Sequence, residues 1–291
     1  MSTILVTGCS TGIGFATAER MARSGHQVYA TMRNPQRAPG LAELARRDNL
    51  SITILPMDVD SDESVQSTVA DVLERAGQID VLINNAGIAP IGAVEEMPFE
   101  VFQHVMQTNY FGTLRCIQAV LPGMRQRRSG TIINVSSVAG EIYSGCFGAY
   151  CATKAAIEAL SECLAVEVAQ FGIRVAVVQP GVIDTPLIDK ADDASAHTFY
   201  PTHARLKAHI SASRENHVPA SAVADMIQAI VSGEQTPFRN PVGADAAPLL
   251  GWRASLADED WVALGTLDDE TWIAGMAQMG MDVRPYLNVV A

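Results

Sequence analysis

The amino-acid sequence predicts an α/β fold, a doubly wound parallel sheet in three α/β/α layers. Two observations carry this. Short runs rich in Ile, Val and Thr alternate with amphipathic segments through the first 180 residues. The runs are continuously apolar, the pattern of strands covered on both faces, and the segments between them are long enough to serve as crossovers.

The elements follow in order. "TILVT" (3–7) is a strand, and the segment from Gly12 to Ser24 is a helix. "QVYAT" (27–31) is the second strand, followed by a helix over residues 39–47. "SITILP" (51–56) and "IDVLINN" (79–85) are strands on either side of a helix at 61–75. A long helical region at 99–127 is broken or crowded near Asn109 to Gly112. "GTIINVSS" (130–137), a helix at 150–170 and "IRVAVVQP" (173–180) bring the count to six strands. Beyond Pro180 the pattern loosens. Residues 184–217 are polar and irregular, and are expected to form a mobile lid over a substrate. A helix at 220–231 opens after Pro219 and stops before Gly233. "TPFRNPVG" (236–243) can hold an edge strand, and the tail at 251–280 is expected to form one or two short helices. No repeat or linker divides the chain. Residues 1–291 are expected to be one nucleotide-binding domain, with 244–291 as a C-terminal appendage.

Composition excludes some functions. Of 291 residues 48% are apolar and 18% charged, a globular balance. The net charge of -12 makes nucleic acid and anionic membrane surfaces poor general partners. No apolar run reaches the roughly 18 to 20 residues of a membrane span, and no basic segment precedes the first apolar run as in a signal peptide. The five cysteines, Cys9, Cys116, Cys146, Cys151 and Cys163, fit no zinc or redox spacing. Reduced thiols and a cytoplasmic setting are expected.

"TGCSTGIG" places Gly8, Gly12 and Gly14 between the first strand and the first helix. Gly8 permits the tight turn, Gly12 lets a pyrophosphate approach the backbone, and Gly14 lets the helix pack closely. The helix N-terminus then offers unpaired N–H groups to phosphates. The pattern lacks the G-K-[ST] ending of a phosphate loop, which argues against nucleoside triphosphate hydrolysis. The tip of the second strand carries Met32 and Arg33 where a ribose-binding carboxylate would stand. An arginine fork can grip a 2′-phosphate, so NADP(H) is expected over NAD(H). Asp58 and Val59 follow the third strand, where Asp58 can accept from an adenine amino group. In "NNAG", Asn85, Ala86 and Gly87 close the fourth strand beside the expected ribose.

"YCATK" sets Tyr150 and Lys154 four residues apart on one helix face. A nearby ammonium favours the phenolate and would lower the tyrosine pKa from about 10. That suits a general acid/base. Such a pair alone is common surface decoration. Ser137, thirteen residues earlier, ends the fifth strand, which brings both hydroxyls to the C-terminal edge of the sheet, where ligands bind in open α/β sheets. Asn109 is a poor residue for a helix interior. It either holds a water between Lys154 and solvent or marks a local kink.

"TGCSTGIG", "NNAG", Asn109, "VSS" ending at Ser137, "YCATK" and "PGVIDT" (180–185) stand in the order and spacing of a known family. Up to about residue 240 the chain resembles a classical short-chain dehydrogenase/reductase, whose fold is Rossmann-type. The resemblance implies the roles. Tyr150 would be the general acid/base, and Lys154 would hold the nicotinamide ribose and tune the tyrosine. Ser137 would orient the carbonyl, and Asn109 would complete a proton relay. Pro180, Gly181, Ile183 and Thr185 would hold the nicotinamide, and Ser10, Thr11 and Ile13 would fill the glycine loop. Many members pair through the helices corresponding to 99–127 and 150–170, which implies a homodimer or homotetramer. "VYATMR", "VSSVAG" and "PVG" followed by "AD" resemble the retinol and 17β-hydroxysteroid dehydrogenase-like branch. That branch carries a C-terminal extension and favours bulky apolar alcohols or ketones.

The implied activity is NADP(H)-dependent interconversion of a carbonyl and an alcohol by hydride transfer, a ketoreductase without a metal. Ser137, Glu141, Tyr143, Phe147 and Tyr150 are the expected substrate contacts. Glu141 departs from an apolar pocket unless it meets a polar group or faces away. His197, His203, His209 and His217 lie in the lid without metal spacing. Trp252, Trp261 and Trp272 of the tail can wall the pocket, mediate a subunit contact or fill a satellite core. Two rival classes use the same motifs. An epimerase or dehydratase would retain its cofactor through a cycle, and a nucleotide sensor would need no Ser137, Tyr150, Lys154 and Asn109 together.

Overall fold

The computed structural model describes residues 1–187, 198–215, 218–234 and 237–287. The chain runs β1 (Thr3–Val6), α1 (Gly12–Arg23), β2 (Gln27–Met32), α2 (Gly40–Arg47), β3 (Ile52–Pro56), α3 (Asp62–Ala76) and β4 (Val81–Asn84). It continues with α4 (Phe99–Met106), α5 (Gly112–Arg127), β5 (Gly130–Val135), α6 (Gly148–Val168) and β6 (Ile173–Pro180). The last part holds β7 (Ile183–Asp184), α7 (Pro201–Glu215), β8 (Val218–Pro219), α8 (Ala220–Val231), β9 (Arg239–Val242), α9 (Ala246–Ser255), α10 (Asp258–Ala263) and α11 (Asp269–Gln278).

Seven strands form one sheet in the order β3-β2-β1-β4-β5-β6-β9, and every pairing is parallel. The alternation of side chains across the sheet explains the continuous apolar runs. Ile4 and Val6 enter one core with Met21 of α1 and Ile227 of α8. Leu5, between them, enters the opposite core with Val69 of α3, Val120 of α5 and Leu164 of α6. The central strands are therefore apolar at most positions, because helices cover both faces. The order reverses between β1 and β4, which opens a crevice at the strands' C-terminal ends.

The break expected near Asn109 is a π-helical turn, Gln107–Phe111, between α4 and α5. The edge strand is present as β9, beside β6. Two expectations are corrected. Part of the region expected to be irregular is α7, a 15-residue helix. The tail holds three α-helices, α9, α10 and α11, rather than one or two. The α7 helix was hidden because its buried face is small and partly polar. Ala208 and Ala212 pack on Ile273 and Met276 of α11, while His203 and Arg205 are also buried. His197 and His217 lie outside the described residues. Among the described residues, no helix is long and apolar enough to cross a membrane. None of the five cysteines is paired in a disulfide, and four are buried.

Helix and sheet approach each other closely at the start of α1. A Cβ on Gly14 would overlap the Gly8 carbonyl and crowd the Asn85 amide, both fixed by the strands. Gly14→Ala is expected to lower stability by about 1–3 kcal/mol through overpacking. A urea denaturation midpoint equal to wild type would refute that packing argument.

Candidate active site

The C-terminal ends of β1, β2, β4, β5 and β6 open into one cavity of about 1220 Å³. Gly8, Ser10, Thr11, Gly12 and Ile13 line its nucleotide end. Gly8 has φ +73° and Gly12 φ +60°, in the left-handed region that glycine tolerates. A Cβ on Gly8 would lie 2.8 Å from Ala86 Cα, so the turn sits against the loop after β4. Side-chain bonds stitch the two together. The Thr7 hydroxyl oxygen accepts from the backbone N–H groups of Asn85 and Ala86, each at 2.9 Å. Asn85 Nδ2 donates to the Thr7 and Gly8 carbonyls at 2.8 and 3.2 Å. Asn85, Ala86 and Gly87 line the cavity, whereas Gly14 lies behind it.

Arg33 stands exposed at the rim, lines the cavity and has no partner among the described residues. Asp58 and Val59 line the same end, and Asp58 Oδ1 accepts from the Asp60 N–H at 3.1 Å. A glycine cradle that any Cβ would fill, with a guanidinium beside it, fits a dinucleotide. Gly8, Gly12 and Arg33 would hold its phosphates. Pro180, Gly181, Ile183 and Thr185 also line the cavity. Their loop is held by Asp245, whose Oδ2 accepts from the Val182 N–H at 2.9 Å.

At the other end α6 begins with Gly148, so Tyr150 lies in its first turn. Tyr150 stacks on Phe147 with ring centroids 4.6 Å apart. Lys154 is buried, and its Nζ donates to the Val135 carbonyl of β5 at 2.8 Å. That bond fixes α6 against the end of β5, two residues before Ser137. The Ser137 Oγ accepts from the Ala139 N–H at 3.1 Å and donates to the Pro180 carbonyl at 3.4 Å. Ser137, Tyr143, Phe147, Tyr150 and Lys154 all line the cavity.

Burial pushes the Tyr150 phenol above the usual tyrosine range, and the Ser137 hydroxyl beside it works in the opposite direction. The expectation that the lysine lowers the phenol is therefore corrected. The Lys154 Nζ lies 5.5 Å from the centre of the Tyr150 ring and is committed to Val135, so desolvation of the phenolate wins. In this dry setting the neutral phenol is favoured over the phenolate. Burial also pushes Lys154 down to about 8, against the pull of the Glu158 carboxylate.

Besides Gly14, two more expected site residues do not line the cavity. Asn109 is fully buried in the π-helical turn. Its Nδ2 donates to the Ile88 carbonyl and the Thr153 hydroxyl, both at 2.9 Å, and its Oδ1 accepts from the Ile88 N–H at 2.9 Å. It shapes the Ile88 backbone, which lines the cavity. Glu141 turns away altogether. It accepts from Gln179 Nε2 at 2.5 Å and lies 3.6 Å from Arg239 Nε, so the expected substrate contact is corrected. The 3-10 turn Val138–Gly140 points it behind the sheet edge instead of into the pocket.

The far wall comes from residues that sequence patterns left open. Leu206 and His209 of α7, with Trp252, Trp261, Trp272 and Met276 of the tail, line the cavity. Burial lowers the His209 pKa. Trp252 and Trp261 meet edge to face at 5.4 Å, and Trp261 Nε1 donates to the Tyr143 carbonyl at 3.3 Å. Arg205 Nη2 clamps α7 to α11 through Asp269 and the Leu267 carbonyl, both at 2.7 Å. The tryptophans gave no periodic signal from which this wall could be read.

A family profile described as short chain dehydrogenase matches residues 2–196. A 3-ketodihydrosphingosine reductase from Bacteroides thetaiotaomicron is 36% identical over 82% of this chain and 87% of its own length. Retinol dehydrogenase 8 from Bos taurus is 35% identical over 87% of this chain and 85% of its own. Among solved structures, a short-chain dehydrogenase from Streptomyces avermitilis is 35% identical with a TM-score of 0.79, covering 91% of this chain and 98% of the other. A variant of actinorhodin polyketide ketoreductase with NADPH is 28% identical with a TM-score of 0.73, covering 82% and 94%.

The buried Lys154 is costly to fold. Its pKa falls from 10.5 to about 8, so the unfolded chain binds more protons between those values and stability rises with pH across that window. Below the folded value the full penalty applies, about 3 kcal/mol at roughly 1.36 kcal/mol per pKa unit. Lys154→Met is expected to be more stable than wild type near neutral pH, with the advantage fading as pH approaches 10.5. Urea denaturation at several pH values checks this, and a destabilised variant at neutral pH would contradict it.

Proposed function

The chain belongs to the short-chain dehydrogenase family, and from that premise we propose that it is an NADPH-preferring reductase of bulky, largely apolar ketones or aldehydes. The observation that carries this reading is one cavity with two chemistries. A glycine cradle and Arg33 lie at one end, and Ser137, Tyr150 and Lys154 lie at the other.

When bound, the nicotinamide cofactor supplies or accepts the hydride. The remaining work falls to side chains. Tyr150 holds a proton on its phenol oxygen and passes it to the carbonyl oxygen of the substrate. Ser137 donates a second hydrogen bond to that oxygen and stabilises the charge that grows there. Lys154 binds the cofactor ribose. Asn109 acts through Ile88 by fixing the backbone that faces the site. In the alcohol-oxidising direction Tyr150 accepts the proton instead.

Arg33 supports the preference for NADPH. A free guanidinium at the strand tip attracts a 2′-phosphate, and no carboxylate stands there to repel one. Leu206, Trp252, Trp261 and Met276 support an apolar substrate, since removing their surface from water on binding is favourable. The names of the two curated relatives refer to a ketone reductase and an alcohol dehydrogenase, the two directions of one interconversion.

A spectroscopic panel of steroid, retinoid, aryl and small β-keto ester carbonyls with NADPH and NADH tests the reading. Tyr150→Phe is expected to lower kcat by about 10²–10⁴ while sparing NADPH binding. Turnover close to wild type in that variant would overturn the proton-donor assignment. Arg33→Asp is expected to lower the NADPH-to-NADH ratio of kcat/KM by about 10- to 100-fold, equivalent to one charge-assisted hydrogen bond. An unchanged ratio would remove Arg33 from cofactor selection.

A further inference from the structure

Behind the active site lies a charged bracket that does not touch the cavity. Glu158 follows Lys154 by one turn of α6, and its side chain is 6% exposed. A carboxylate so buried must be partnered. Arg239 Nε of β9 donates to its Oε2 at 2.9 Å, and Gln179 Nε2 of β6 donates to its Oε1 at 3.1 Å. The same Gln179 amide holds Glu141, and Arg239 Nη2 also donates to Glu162 Oε2 at 2.6 Å. Three carboxylates therefore share one guanidinium, and the next cation along α6 is Lys154. None of these bracket residues lines the cavity.

We propose that Glu158 is a positioning residue for Lys154: gripped by Gln179 and Arg239, its carboxylate is the counter-charge that keeps Lys154 an ammonium at the cofactor. This rests on the reading of Lys154 as the ribose-binding residue. The titratable groups facing Lys154 are Tyr150 and Glu158, both on α6. Those facing Glu158 are Lys154, Arg239 from β9 and Glu141 from the turn after β5; Glu162 reaches the bracket through Arg239. Burial drives Lys154 towards neutrality, and Glu158 is the group that opposes it. Arg239 holds the carboxylate in place and also moderates it, because its own positive charge subtracts from the field at Lys154.

The two partners therefore act with opposite signs, which separates this role from simple structural support. The test is the pH dependence of NADPH affinity in the full-length protein, followed by NADPH fluorescence across a range bracketing the Lys154 value of about 8. Wild-type affinity is expected to weaken as Lys154 loses its proton. Glu158→Gln, which keeps the shape, should move the midpoint down by about one pH unit. Arg239→Gln should move it up, and Glu158→Asp should restore most of the wild-type value. Glu162→Gln, at an exposed position, should leave it in place. Unmoved midpoints in Glu158→Gln and Arg239→Gln, or shifts in the same direction, would overturn the proposal. If Glu158→Gln does not fold, the direction of the Arg239→Gln shift decides alone. Opposite shifts in a protein that oxidises NADPH with no carbonyl compound would uphold the counter-charge and sink the reductase reading instead.

Discussion

The hydrogen bond from Lys154 to the Val135 carbonyl is the constraint on which the reactive end depends. It pins helix α6 to the end of β5 at 2.8 Å in a buried setting. An ammonium there loses hydration and regains only part of it through one carbonyl, so it is held where its charge is least comfortable. The gain is positional. One turn before Lys154, Tyr150 is delivered to the cavity wall, and two residues after Val135, Ser137 is delivered beside it. The same dryness that strains the lysine keeps the phenol protonated. The phenol, the serine hydroxyl and the cation are thus placed by one contact between a strand end and a helix.

Most of this was legible in the sequence because it is local. Strand, glycine turn and helix follow one another in "TGCSTGIG", and each glycine meets a neighbour already fixed by the strands: Gly8 meets Ala86, and Gly14 meets Gly8. Tyr150 and Lys154 share a face by helical spacing alone. What could not be read depends on distant chain. Helix α7 looks polar because its face is completed by α11, and Arg205 finds Asp269 64 residues further on. Glu141 was expected at the substrate because it follows Ser137 closely. A single 3-10 turn was enough to send it to Gln179. The sign of the tyrosine shift likewise depends on packing, since spacing reports a neighbouring charge but not how dry the site is.

The edge strand β9 links these corrections. Its Asn240 Nδ2 donates to the Val177 carbonyl at 3.0 Å, and Gly181 N–H donates to the Val242 carbonyl at 2.9 Å, so β9 supports the β6 loop that lines the cavity. Arg239, at its start, enters the carboxylate cluster behind α6. A strand that reads as a peripheral addition therefore braces both the loop expected to hold the nicotinamide and the helix that carries Tyr150.

The two ends of the cavity are built on different principles, and this bears on what can vary. The nucleotide end is defined by backbone and by missing side chains, so almost any substitution there fills the cradle or breaks the turn. The far end is defined by side chains supplied from α7 and the tail, held together by the Arg205–Asp269 pair and a small apolar cluster. Arg205 is buried and also lies 5.8 Å from the Trp272 ring, so α7 and the tail wall are fastened together. A change in any of their large side chains reshapes the pocket without touching Ser137, Tyr150 or Lys154. The motif residues thus come to the cavity from the sheet edge and α6, whereas its far wall is assembled from sequence-distant pieces.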